Sequence, residues 1–226
     1  MTAAGAVGLN GGMEDDHPTR SDLPWPLTDA EALRAELLAA YGEPSRGHHG
    51  TRHLAEVLAR LDELAAAGTA FERTPVLLAA WFHDAVYDGE RDAEERSATW
   101  AEDALPAHAD PATVAEVARL VRITEHHRPE PDDANGCALS DADLSILAAG
   151  RERYDEYVAA VRTEYAHLSD EVFAAGRADV LRALAATPAL FRTAYGHQRW
   201  EEAARANMAR ELAALAAASP RPEPSS

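Results

Sequence analysis

The stretch AAWFHDAVYDG, residues 79–89, decides how the chain is read. It continues Val76, Leu77 and Leu78, so an apolar helical run leads directly into an imidazole and a carboxylate, His83 and Asp84, with Val86 and Tyr87 just beyond. A charged group inside an apolar segment is costly to bury without a partner. One divalent cation would compensate both side chains, since neutral imidazole and carboxylate are ligands suited to such an ion.

Outward from this run the signals are helical. Thr74 and Pro75 read as an N-cap and first-turn pair. Thr28 can cap DAEALRAELLAAY, with Gly42 as the stop. In TRHLAEVLARLDELAAAG the residues Leu54, Val57, Leu58 and Leu61 share one face, and Gly68 ends the segment. Asp110 and Pro111 open ATVAEVARLVRITEHH. A loop, RPEPDDANG, precedes LSDADLSILAAG. Helices then follow over about 151–167 and after Ser169, a short one starts at Thr187–Pro188, and a last one covers about 198–217. No stretch shows the period-two alternation of a strand. The chain is alanine-rich, which also favours helix, and the fold class expected is all-α: a single bundle of about eight to ten helices over residues 27–218. Residues 1–26 and 219–226 read as disordered, and Met13 is a candidate start.

The chain has 226 residues and a formal net charge of −18, with 21 basic residues that are all arginine. Such acidity, without a basic patch, argues against a nucleic-acid polymer or an anionic membrane as partner. One cysteine, Cys137, excludes an internal disulfide framework. The absence of a long apolar run or a signal-peptide pattern makes a cytoplasmic protein the expectation.

Four places set histidine or aspartate against apolar helix: His49 and His53, four apart in GHHGTRHLAEVL; His83 and Asp84; ITEHH with His126 and His127; and Asp141 and Asp143 in LSDADLSIL. Taken singly, most have an ordinary reading. A histidine pair is commonly solvent-exposed, Asp141 is a ready N-cap, and His126 and His127 sit where a helix C-terminus favours cations. Together they are a set of imidazoles and carboxylates on separate helices, a familiar way to build a metal site in a helical core.

In order along the chain, YGEPSRGHHGTRHLAEVL, AAWFHDAVYD, EERSA, ITEHH, LSDADLSIL, YVAAVRTEYAHL, GRADVL and EAARANM resemble the HD superfamily of metal-dependent phosphohydrolases, whose pattern is H…HD…D. The resemblance spans roughly residues 28–215 and is closest to a bacterial group known only as metal-dependent HD-domain phosphohydrolases. HHGTRH is also similar to the YHNxxH motif of the cyclic-nucleotide phosphodiesterases, with His48 in place of the tyrosine and Gly50 in place of the asparagine.

The resemblance implies a divalent metal ion (Mn, Mg, Co, Ni, Zn or Fe) held by His53, His83, Asp84 and Asp143, with Asp84 also bridging where two ions bind. It implies His49 as proton donor, with His48 as its competitor, and Asp143 rather than Asp141 as the last ligand, Asp141 being a supporting residue or N-cap. Glu95 would hydrogen-bond a water, and His127 and Arg128 would contact a phosphate or a second metal. At least one of Arg162, Tyr165 and Arg177 is expected to face the pocket. The function implied is hydrolysis of a nucleotide or other small phosphoester by metal-bound water. Two alternatives stand beside it: a non-catalytic nucleotide- or partner-binding protein with a structural metal, and a di-iron oxygenase using His108 and His127.

Overall fold

A computed structural model describes residues 23–218. Among them the chain forms ten α-helices and no strand: α1 (Glu31–Tyr41), α2 (Thr51–Ala66), α3 (Arg73–Phe82), α4 (Ala93–Ala104), α5 (Pro111–Ile123), α6 (Ala134–Leu144), α7 (Arg151–Glu164), α8 (Asp170–Ala185), α9 (Ala194–Arg199) and α10 (Glu201–Ala218). Short 3-10 turns follow α4 and α6, the second over Ser145–Ala148.

Helix α3 is the centre of the bundle. Every residue from Pro75 to Phe82 is buried, as expected of a helix that is apolar all round. It packs against α2, α4, α5 and α6. Helix α2 turns Leu54, Val57, Leu58, Leu61 and Leu64 inward, and His53 belongs to the same buried face. It ends at Gly68, whose φ of +86° lies in the left-handed region that favours glycine. Helix α6 is buried on almost every side. The turn after it is held by Asn207 of α10, whose amide donates to the carbonyls of Leu147 (2.8 Å) and Ala149 (2.9 Å).

Several boundaries differ from the sequence reading. Leu23–Pro26 belong to the domain: Leu23 is buried, Trp25 meets Trp81 edge-on at 5.0 Å, and the Trp81 indole donates to the Pro24 carbonyl at 2.8 Å. The other residues expected to be disordered, 1–22 and 219–226, lie outside the described residues. Helix α3 starts before Thr74, at Arg73, with Glu72 as its N-cap. Ala30, not Thr28, is the N-cap of α1. The expected loop ends earlier, because Asp133 accepts from the Gly136 amide and caps α6 at Ala134. Thr187–Pro188 begins no helix; the short helix opens at Ala194, capped by Thr193. Asp110 and Ser169 cap α5 and α8 as their sequences suggest.

Trp81 is fully buried at the junction of α3 with the residues that precede α1. Trp81→Ala is expected to cost about 3–5 kcal/mol in urea unfolding, the usual penalty for removing a large buried aromatic. A cost below about 1 kcal/mol, the size of an ordinary surface change, would show that this junction is not part of the core.

Candidate metal centre

The His83–Asp84 pair stands where α3 ends. His83 is the C-cap and is buried. Its Nδ1 donates to the Ala80 carbonyl at 2.7 Å. A carbonyl can only accept, so in the neutral ring Nε2 keeps its lone pair and faces the cluster, the arrangement typical of a ligand histidine. The Tyr41 hydroxyl lies 3.4 Å from the same Nδ1 and accepts from the Asp84 amide at 3.2 Å. Arg46 completes the turn, donating to the carbonyls of Asp84 (2.6 Å), Ala85 (2.8 Å) and His49 (3.0 Å). A guanidinium here satisfies carbonyls of the turn just past the helix end, which no backbone amide is shown to take. Here it also ties the HHG loop to the turn that carries Asp84.

Four groups meet at this point. His53 Nε2 lies 3.2 Å from His83 Nε2 and 3.5 Å from Asp84 Oδ2. His83 Nε2 lies 3.1 Å from Asp84 Oδ2. Asp143 Oδ1, from α6, is 2.9 Å from His53 Nε2 and 3.7 Å from His83 Nε2. Two ligands each about 2.1 Å from one ion stand roughly 3.0–3.4 Å apart, a spacing that His53, His83 and Asp84 approach, with Asp143 beside the two imidazoles. The buried Asp84 Oδ2 makes no hydrogen bond, although His83 Nε2 lies 3.1 Å from it. Two imidazole nitrogens 3.2 Å apart, beside such an oxygen, leave a gap of the kind a cation fills. The group of His53, His83 and Asp84 could hold a metal ion.

The charges agree. Burial alone would lower the His83 imidazole, but Asp84 and Asp143 outweigh it and carry its pKa to about 9. Burial alone would raise Asp84, yet His83, His49 and His53 hold it well below the usual carboxylate range. Asp143 is likewise depressed against its burial, chiefly by His83 and His53.

Beside the cluster, the loop Gly47–His49 wraps around one carboxylate. Glu164, the last residue of α7, accepts the amides of Gly47 (2.9 Å), His48 (2.8 Å) and His49 (2.9 Å) on Oε1, and His49 Nδ1 on Oε2 at 2.8 Å. Gly47 permits this approach, since a Cβ there would lie 2.3 Å from the Ala160 carbonyl oxygen. His49 stacks on Tyr87 with ring centroids 4.0 Å apart. Burial would lower its pKa, but Asp84 and Glu164 raise it. His48 has the opposite balance: burial, then His53 and His49, hold it well below its ordinary value. Helix α2 begins at Thr51, so His49 precedes it, and the loop rather than a helical i, i+4 step brings His49 and His53 together.

The remaining residues divide. His127 adopts a left-handed backbone, φ 48°, that places Nε2 3.5 Å from Asp143 Oδ2. His127, Arg128 and Arg177 line the cleft over the cluster. Asp141 is no N-cap: it sits inside α6, faces away from Asp143, and accepts the amides of Arg192 (2.7 Å) and Thr193 (2.8 Å). Glu95 pairs with Arg122 on the surface, and its neighbour Glu94 lines the cleft instead. Arg162 binds Asp170 and the carbonyls of Tyr165 and Leu168. Neither Arg162 nor Tyr165 is among the residues lining the cleft. His108 lies beside Asp29, also off the cleft. Glu164, Arg46 and Tyr41 are contributors that the sequence did not single out; each has a partner 38 to 117 residues away.

No protein-family model matches the chain, and no curated protein or solved structure matches it.

A metal takes only neutral imidazole, whereas His83 in the metal-free chain titrates at about 9. Metal uptake at pH 7 is therefore expected to release about one proton, and the apparent affinity should rise by up to about tenfold per pH unit toward pH 9. Calorimetric titration with Mn²⁺ in buffers of different ionisation enthalpy measures this. Identical heats in all buffers would contradict the proposed protonation of the cluster.

Proposed function

We propose that the chain is a metal-dependent phosphohydrolase of the HD type, acting on a small phosphoester, with His53, His83, Asp84 and Asp143 as the ligands of a divalent ion. The observation that carries this reading is the pairing of the ligand cluster with a carboxylate-held imidazole. Glu164 binds His49 Nδ1 at 2.8 Å and leaves Nε2 as the nitrogen free to face the cleft. The ordered motifs that resemble the HD superfamily support the same assignment.

A divalent ion bound by these ligands would supply a Lewis acid that acidifies water and stabilises charge on a phosphoryl oxygen. The chain's own residues account for the proton. Water attacks phosphorus, the bond from phosphorus to the leaving oxygen breaks, and His49 passes its Nε2 proton to that oxygen, giving phosphate and an alcohol. Glu164 keeps Nδ1 protonated, favours the imidazolium before transfer, and fixes the ring plane together with Tyr87. His48 is held neutral by its burial and by the two neighbouring imidazoles, which argues for His49 as the donor. Arg128 lines the cleft and would meet the phosphoryl group.

The test is phosphate release from a panel of small phosphoesters and nucleotides with Mn²⁺, Mg²⁺, Co²⁺, Ni²⁺, Zn²⁺ and Fe²⁺. His53→Ala is expected to lose metal and activity together. His49→Ala should keep its metal and lose about 10²–10⁴-fold in kcat, and less on an aryl phosphate, whose leaving group needs little protonation. Glu164→Gln removes the negative partner that raises His49, so the alkaline limb of the kcat/KM profile should move to lower pH. No release with any metal, or full activity in His49→Ala, would reject the mechanism.

A further inference from the structure

The cleft over the ligand cluster is larger than its chemistry needs. It encloses about 560 Å³, inside the roughly 300–1,000 Å³ of small-molecule pockets and well beyond the space of one phosphoryl group. Its lining is of two kinds. One part is His48, His49, Asp84, His127 and Asp143. Another is Leu144, Ile146 and Leu147, where α6 passes into its turn, with Val180 and Leu184 of α8.

Two features make this apolar part a binding wall. Val180 is 52% exposed. Exposed large apolar side chains are few among the described residues, Tyr165, Val172 and Val180, and of these Val180 lines the cleft. The wall is also fixed, since Asn207 holds the carbonyls on either side of Ala148.

The charges limit what the polar part of the lining accepts. Arg177 reaches the cleft but is occupied, with Nε and Nη2 at 2.8 and 3.1 Å from Glu211 and its guanidinium 5.0 Å from the Tyr157 ring centroid. Arg128, at the rim, has no ion-pair partner among the described residues and is the one arginine left for a phosphoryl group. Glu94 and Glu125 lie on the same lining and oppose any further negative charge. A polyphosphate chain would meet these two carboxylates with a single uncompensated guanidinium. A sugar and base would have His126, Tyr157 and Thr187 as hydrogen-bonding neighbours but none in the five aliphatic side chains.

Building on the phosphohydrolase reading, we infer that the substrate is a phosphomonoester with one phosphoryl group and an apolar alkyl or aryl body, which lies on Leu144, Ile146, Leu147, Val180 and Leu184. Hydrolysis then frees an apolar alcohol and phosphate.

Binding tests this without turnover. The full chain saturated with Mn²⁺ is titrated calorimetrically with methyl-, butyl- and hexylphosphonate and with adenosine 5′-monophosphate. Affinity should rise with chain length, by up to about fourfold for each methylene that leaves water, and hexylphosphonate should bind tighter than the nucleotide. Val180→Asp, a change at an exposed position, should flatten the dependence on length. Equal affinities across the phosphonates, no binding of any of them, or tighter binding of the nucleotide would overturn the inference. Assays with methyl and hexyl phosphate separate it from the reading it rests on. Length-dependent binding without phosphate release keeps the apolar wall and rejects hydrolysis. Release from both esters at equal kcat/KM keeps hydrolysis and rejects the apolar body.

Discussion

Two carboxylates, Asp84 and Asp143, sit at the inner ends of apolar helices, and each side chain is only 13% exposed. An ion taken out of water costs several kcal/mol unless a counter-charge and hydrogen bonds offset it. Much of the surrounding architecture follows from that constraint. His53 and His83 face the carboxylates from α2 and the end of α3. Tyr41 fixes the Asp84 amide, and Arg46 satisfies the carbonyls of Asp84 and Ala85 in the turn after α3. Glu164 then supplies a negative charge beside His49, whose pKa it raises together with Asp84. The apolar packing of α3 against four other helices keeps water away and makes each of these pairings matter.

Much of the fold was legible because it is periodic or local. The stripe Leu54–Leu61 identified the inner face of α2 and carried His53 with it. Caps such as Asp110 and Ser169 are read from a single residue and its neighbours. The His83–Asp84 pair was conspicuous because it interrupts an apolar run. What escaped is non-local. Glu164 binds a loop 115 to 117 residues away, and Arg46 binds a helix end 38 residues on; no spacing rule marks such pairs. Helical phase caused the other differences. Adjacent residues point about 100° apart, so Glu94 enters the cleft while Glu95 meets Arg122. Asp141 and Asp143, two residues apart, face opposite sides of α6. The cap at Asp133 was hidden because residues 129–136 look like a loop by composition.

The division of labour between His48 and His49 illustrates how a backbone clamp selects chemistry. The two rings are neighbours, with centroids 4.7 Å apart, and both border the cleft. Burial and the neighbouring imidazoles lower His48, whereas Asp84 and Glu164 outweigh burial at His49, so their proton affinities move in opposite directions. The Glu164 oxygen that accepts three consecutive amides holds the loop that carries both rings.

The central claim is that His53, His83 and Asp84, whose ligand atoms face one another, take a divalent cation together with Asp143. Anomalous diffraction from crystals grown with Co²⁺, recorded on both sides of the cobalt edge, tests it most directly. The account predicts a peak about 2.0–2.2 Å from His53 Nε2, His83 Nε2 and an oxygen of each aspartate. No peak there, or one held elsewhere while these four side chains remain turned toward one another, would contradict it.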